Sequence, residues 1–489
     1  MYRSTRLLST TTALSLMAMA ACTDHRDPNS PPITLQNTSV TPALVRPIAG
    51  AGGRLNADAI KIYSLISSDD RLEQSPNFVF GGSADGAGMF QNPDGTYSIM
   101  VNHEDNFSVS RITLDKSFKP VKGEYVLNSD GGQWRLCSAT LVTPVEHGFG
   151  PYFMTCGESG EESRTHALRV DADPQQAAIT REVEALGRWS AENAVPLPKT
   201  AYPGKTVIII GDDDSATNGG QVALYVSDRP GDLENGSLYM LKRKDNNQRE
   251  MDMKTGDVHD VEFVKIENHK TLSGAQINAK VNELKAMKFG RVEDLDYRKD
   301  NVGRELYFNV TGQATTGANA DYSRTKYGRV YKLVLDSNDP LKGKLQVVLD
   351  GDDRNGIAKE FQNVDNICVT KNYLYTQEDP NGYGDEKHDS YVYQYNLATG
   401  AMTKILELDH RRTAPDAAKY NVGGTSKFGD WEYGAMVDIS DVTGRPNTFM
   451  LCIQPHTWTD AKYAGVDGGT KRRTERQASQ IVIVEGLPR

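Results

Sequence analysis

The stretch YVYQYNLATGAMTKILEL, residues 391–408, reads as two short strands folded about a turn. Aromatic and branched residues fill both arms, and Thr399-Gly400 supplies the turn chemistry between them. The same texture recurs along the chain. YSIMV (97–101), TVIII (206–210), VALYV (222–226), QVVL (346–349) and IVIV (481–484) are short, β-branched or aromatic, and bounded by Gly, Asp, Asn or Pro. Strand signals dominate from about Phe78 onward, and Asn92-Pro93-Asp94-Gly95 forms another turn. Helical signal is confined to residues 275–286 and 175–186. This is the texture of an all-β propeller with short helical insertions, although no strict repeat period is visible. A pair of β-sandwiches satisfies the same strand count.

The bulk properties agree with a folded, turn-rich protein. The 489 residues are 38% hydrophobic and 25% charged, with 44 Gly and 21 Pro. A net charge of -10 and the lack of a basic stripe argue against nucleic acid as a partner. At the start of the chain Arg3 and Arg6 precede an apolar and small-residue run over residues 7–21, which ends Met19-Ala20-Ala21-Cys22. The run is too short to span a membrane and has the form of an export signal. The expected organisation is a lipoprotein signal peptide (1–21), a tether (22–45) and one propeller domain (46–489). Cys22 would carry the lipid, placing a monomeric chain at the outer leaflet of a membrane, in the periplasm or at the cell surface. Outside the cytoplasm the remaining cysteines can form disulfides. Cys137 and Cys156 flank one hairpin and could pair; alternatively Cys137 is a metal thiolate.

Many carboxylates sit at strand ends rather than in surface runs. Glu104 follows residues 98–101, Glu158 follows 152–154, and Asp212, Asp213 and Asp214 end the Ile run, resembling a turn. Glu192, Glu293, Asp365, Glu378 and Glu432 flank other strands. In a propeller the strand ends at one face converge on the axis. Acids gathered there would repel one another unless a cation bridged them, and calcium takes about 6–8 oxygen ligands. His103, His147 and His456 are candidate metal or proton-transfer groups, against the commoner role of a histidine bonded to backbone. On an extended strand Arg291 and Glu293 face the same side. A guanidinium there suits a phosphate, or simply an ion pair with Glu293. No nucleophile elbow and no phosphate-binding Gly-Lys-Ser/Thr loop is present.

These segments, in order from Gly81 to His456, resemble the PhoX-type alkaline phosphatases and their phytase-like relatives. The likeness is carried by Asp85-Gly86-Ala87-Gly88, Asn102-His103-Glu104, Cys137-Ser138, Thr143-Pro144, Glu192-Asn193-Ala194, Arg291-Val292-Glu293-Asp294, Asp365-Asn366-Ile367, Gln377-Glu378-Asp379-Pro380, Glu432 and Gln454-Pro455-His456. The resemblance implies a six-bladed propeller that hydrolyses small phosphate monoesters with calcium (Ca2+) and iron (Fe3+) in the channel. It implies Glu192 and Glu293 as metal ligands, Cys137 as an iron thiolate and Arg291 as the phosphate-binding group. Glu104, Glu158, Asp365, Glu378 and Glu432 follow as further ligands. The chain departs from the family around Cys137, where Ser138-Ala139-Thr140 and Val145-Glu146-His147 replace Gly-Gly and Trp-Gly patterns, and Val292 replaces a proline. The alternatives are a non-catalytic, calcium-stabilised surface propeller that binds a partner or glycan, and a calcium-dependent propeller hydrolase such as a lactonase.

Overall fold

The computed structural model describes residues 32–48 and 59–489. β1 (Val45–Pro47) and β2 (Lys61–Ser67) come first. Six antiparallel meanders follow. The first holds β3 (Ala84–Gln91), β4 (Tyr97–His103), β5 (Ser108–Leu114) and β6 (Pro120–Leu127). The second holds β7 (Leu136–Val142), β8 (Tyr152–Gly157) and β9 (Thr165–Arg169). The third holds β10 (Ala191–Pro196), β11 (Thr206–Asp212), β12 (Gln221–Ser227), β13 (Ser237–Arg243) and the extra strand β14 (Val258–Lys265). The fourth holds β15 (Val292–Tyr297), β16 (Glu305–Val310), β17 (Arg329–Leu335) and β18 (Lys342–Asp350). The fifth holds β19 (Val364–Val369), β20 (Tyr373–Glu378), β21 (Tyr391–Asn396) and β22 (Met402–Leu408). The sixth holds β23 (Glu432–Asp438), β24 (Thr448–Gln454) and β25 (Gln480–Glu485).

The first strand of each meander, β3, β7, β10, β15, β19 and β23, packs on the first strand of the next, and β23 returns to β3. The ring closes, so the fold is a propeller and the two-sandwich alternative fails. Hydrogen bonds between β14 and β18 fuse the third and fourth meanders into one nine-stranded sheet. The core is divided in the same way. Six separate apolar clusters fill the six gaps between neighbouring meanders, as where Ile208 and Ile210 meet Val142 and Met154. Another joins Met450 and Ile481 to Ile99 and Ile112, sealing the last meander against the first.

The start of the described chain completes the ring. β2 pairs with β25 and supplies the outer strand of the sixth meander, while β1 adds to β22 in the fifth. This covers two edges that would otherwise expose unpaired backbone. The described part of the expected tether, residues 32–45, belongs to the fold instead. From residue 32 onward it is docked, with Ile33, Leu44 and Val45 buried and the Val40 amide donating to Asp70 Oδ1 at 2.8 Å. Three buried aliphatic side chains, each worth about 1.5–3 kcal/mol, explain why it does not hang free. The signal segment 1–21 and the lipidation residue Cys22 lie outside the described residues.

The helix Gly274–Leu284 forms where the sequence placed one, opened by a reciprocal cap between Ser273 and Gln276. The patch 175–186 does not form a helix. It makes two single turns, Pro174–Gln176 and Glu184–Leu186. Between them the chain bonds to β9: the Val183 amide donates to Thr165 O, and His166 bridges to Glu182. Pairing with a strand overrides weak local propensity.

Candidate functional site

Every inner strand slips register with its neighbour once, near its start. The slip leaves two residues unpaired: Asp85-Gly86, Cys137-Ser138, Glu192-Asn193, Glu293-Asp294, Asp365-Asn366 and Gly434-Ala435. A bulge of this kind re-aims a side chain that regular pairing would fix. In five of the six, the first unpaired residue is an acid or a thiol, and all five line one axial cavity of about 200 Å³. The sixth is Gly434, and a Cβ there would lie 2.5 Å from Ala84 O and 2.6 Å from Asp85 Cα. Strands β23 and β3 approach too closely for a side chain, so the sixth meander contributes Glu432, two residues earlier, to the cavity wall.

The donors form an overlapping chain. Asp85, Glu104 and Cys137 offer ligand atoms all within 4.8 Å of one another; so do Cys137, Glu158 and Glu192, and so do Glu192, Glu293 and Asp365. Cys137 and Glu192 link the three groups. Few donors reach these acids from the protein. Glu192 Oε1 accepts from the Ser138 amide at 3.0 Å, Glu104 Oε2 from Gln454 at 3.0 Å, and the Cys137 thiol donates to Glu158 Oε2 at 3.1 Å. Asp365 Oδ1 is buried with no hydrogen-bond partner. Burial and the neighbouring carboxylates hold these acids protonated far above their usual range. Glu192 is pushed up to about 8, chiefly by burial and then by Asp213 and Asp294. Burial pushes Glu104 to about 7 despite Arg135 beside it. Asp85, Glu158, Glu293, Asp365 and Glu432 are raised well above the carboxylate range, burial leading in each. The Cys137 thiol is raised likewise by burial and by Glu192.

Two guanidinium groups flank the cavity. Arg291 precedes β15 in the left-handed region, φ 71°, which turns its fork inward. Its Nε lies 2.7 Å from Asp213 Oδ1, its Nη2 3.0 Å from Glu293 Oε1, and its Nη1 donates to Asn381 Oδ1 at 2.5 Å. Arg135 pairs with Glu104 at 3.3 Å and Asp105 at 3.2 Å. Its side chain is 45% exposed, against 20% for Arg291, so Arg135 sits at the mouth.

The structure brings together Glu104, Cys137, Glu158, Glu192, Glu293, Asp365 and Glu432, with Arg291 in the same wall. Glu378 does not join them. It is fully buried between strands and accepts from the Gln362 amide at 2.8 Å, the Tyr391 amide at 2.8 Å and the Tyr393 hydroxyl at 2.9 Å. Adjacent residues at a strand end face opposite ways, and it is Asp379 that reaches the cavity. Of the three candidate histidines, His456 lines it, 3.0 Å from Glu432. His103 lies near Gly82 O and Ser110 Oγ, and His147 Nδ1 accepts from the Thr143 amide at 3.0 Å. Cys137 and Cys156 are both free thiols. Cys156 packs in the apolar gap between the second and third meanders, away from the axis. Asp213, read as part of a turn, instead clamps Arg291. Sequence reasoning also left out Asp85 and Arg135 as site residues. The recurrent apolar–donor–small–apolar pattern of the bulges, as in Ala84-Asp85-Gly86-Ala87 and Leu136-Cys137-Ser138-Ala139, is the signal that finds the first.

No known family's sequence profile matches the chain, and no curated protein matches it. Among solved structures, the α-L-arabinofuranosidase Arb93A from Fusarium graminearum is 11% identical, with a TM-score of 0.41, covering 86% of this chain and 98% of that one. The GH43 β-1,3-galactosidase BT3683 is 10% identical at a TM-score of 0.32, covering 86% and 94%. The GH62 α-L-arabinofuranosidase of Coprinopsis cinerea is 9% identical at 0.31, covering 67% and 91%. Likeness at this level carries no functional argument, and the assignment of a propeller rests on the strand order above.

Proposed function

We propose that the chain is a metal-dependent hydrolase of phosphate monoesters. The observation that carries the reading is the chain of three donor groups, two sharing Cys137 and two sharing Glu192, with Asp365 Oδ1 buried and partnerless among them. The donor set fits cations of two kinds. Glu192, Glu293 and Asp365 offer oxygen alone, which suits a calcium-type ion. The two groups containing Cys137 add sulfur, which suits a softer metal such as iron. When bound, such ions supply positive charge to the non-bridging oxygens of a phosphoryl group and lower the barrier to its transfer.

The remaining roles fall to the chain's own side chains. The Arg291 fork lies at the cavity wall and matches two phosphoryl oxygens. Asp213 and Glu293 hold its orientation. His456 Nε2, 3.0 Å from Glu432, lines the axial cavity and can exchange a proton with the attacking water. The test is turnover of p-nitrophenyl phosphate by the full chain, abolished by chelator and restored by calcium with iron. Absence of turnover on any phosphoester in metal-replete protein overturns the reading. A calcium-held propeller without catalysis is the second reading, favoured by the prior engagement of Arg291 with Asp213 and Glu293; calcium that raises the melting temperature without hydrolysis selects it.

A further inference from the structure

The axial cavity, at about 200 Å³, has room for cations and a phosphoryl group but not for a bulky ester as well. Beside it lies a wider cavity of about 540 Å³ that shares Glu158 and Arg291 as a common wall. A phosphoryl group gripped by Arg291 therefore has this side cavity as its neighbour. Ser190, Ser215, Gln313, Asn381, Tyr383 and Asp214 contribute to its lining.

The chemistry of that lining is specific. It presents hydroxyl and amide groups, with Ala314 as its aliphatic side chain. Arg291 is its single cationic residue, and that charge already faces Asp213 and Glu293. Asp213 and Asp214 make the rest of the wall acidic. Hydroxyl groups on a ligand would find donors and acceptors here. A second phosphate would face carboxylates with no free cation to offset them. The Gln313 amide is fixed, donating to Ser215 O at 2.6 Å and accepting from Arg324 at 2.7 Å, so the wall is preformed.

We propose that the side cavity receives a neutral, polyhydroxylated alcohol, such as a sugar or polyol, as the leaving group of the phosphomonoester. The inference rests on the phosphomonoesterase reading above and names its substrate class. In the reaction a water oxygen forms a bond to phosphorus, and the ester P–O bond breaks. The alcohol oxygen gains the proton that the water gives up, so one alcohol and one inorganic phosphate result.

The experiment uses the full chain loaded with calcium and iron. Initial rates are compared for glucose 6-phosphate, p-nitrophenyl phosphate and fructose 1,6-bisphosphate, and inhibition by inorganic phosphate is measured alongside. The wild type should turn over glucose 6-phosphate with a kcat/KM at least about tenfold above that of the bisphosphate. Ala314→Trp, checked for an unchanged melting temperature, should lower kcat/KM for glucose 6-phosphate about tenfold or more and leave inhibition by inorganic phosphate unmoved. Should Ala314→Trp prove unstable, Ser215→Leu gives the same comparison from the rim. If p-nitrophenyl phosphate is hydrolysed but the bisphosphate is used as well as glucose 6-phosphate, the side cavity has been misread and the phosphatase reading survives. If none of the three esters turns over, both fall together.

Discussion

Removing cations from the channel should make the protein less stable as the solution becomes more alkaline. In the chain alone Glu104 is pushed up to about 7 and Glu192 up to about 8, from 4.5. A raised folded value means that the folded state holds protons which the unfolded chain releases near pH 4.5. Between pH 4.5 and about 8 the folded state therefore binds more protons, and stability falls as pH rises through that window. Each pKa unit corresponds to about 1.4 kcal/mol, so the Glu104 shift alone costs about 3 kcal/mol above pH 7. Glu192 extends the window of falling stability to about pH 8. A chain of 489 residues has an unfolding entropy near 1 kcal/mol/K, so about 3 kcal/mol moves the melting temperature about 3 °C. A bound cation replaces those protons and removes the slope. Calorimetric scans at pH 5 and pH 8, with chelator and with calcium, measure both quantities. Calcium should add several degrees at pH 8 and much less at pH 5. A chelated protein equally stable at the two values, and indifferent to calcium at both, would refute the electrostatic reasoning.

Three further outcomes follow from single residues. Arg291→Lys keeps the charge but loses the two-pronged fork, so KM for a phosphoester should rise about tenfold, and Arg291→Ala should cost more; steady-state kinetics decide, and an unchanged KM in both rules out a phosphate-binding role. Gly434→Ala places a Cβ 2.5 Å from Ala84 O and should destabilise the closure between β23 and β3 by about 1–3 kcal/mol, read by denaturant unfolding, whereas a neutral result means that the two strands can part. Glu250 accepts from the Gly290 amide, the Thr325 amide and the Tyr331 hydroxyl, so Glu250→Ala strands three buried donors and should cost about 3 kcal/mol or more. Because Gly290 precedes Arg291, the same variant should also raise KM, and normal kinetics in a destabilised protein would show that Glu250 serves stability alone.

Much of the ring was readable because strands and turns are local. The hairpin 391–408 folds as β21 and β22, with Thr399-Gly400 in the connection. The number of meanders was not readable as a period, since β14 and the helix Gly274–Leu284 lengthen the third unit and make the intervals between bulges unequal. The site was legible where an acid follows an apolar strand, as at Glu104 and Glu158. It was misread at Glu378, where one step along the strand separates a buried acid from the channel-facing Asp379. The Ile run up to Asp212 hid Asp213, because its partner Arg291 comes from a different meander. Pairing of Cys137 with Cys156 failed for a different reason: a bulge turns Cys137 to the axis, while Cys156 stays in the apolar gap.

The most direct test is elemental analysis of the purified protein beside a variant carrying Glu192→Gln and Asp365→Asn. The wild type should hold at least one calcium per chain together with a thiophilic metal, and the variant, still folded, should lose the calcium. Wild-type protein that stays free of both metals after equilibration with them, yet is fully folded at pH 8, would contradict the existence of a shared cation site on the propeller axis.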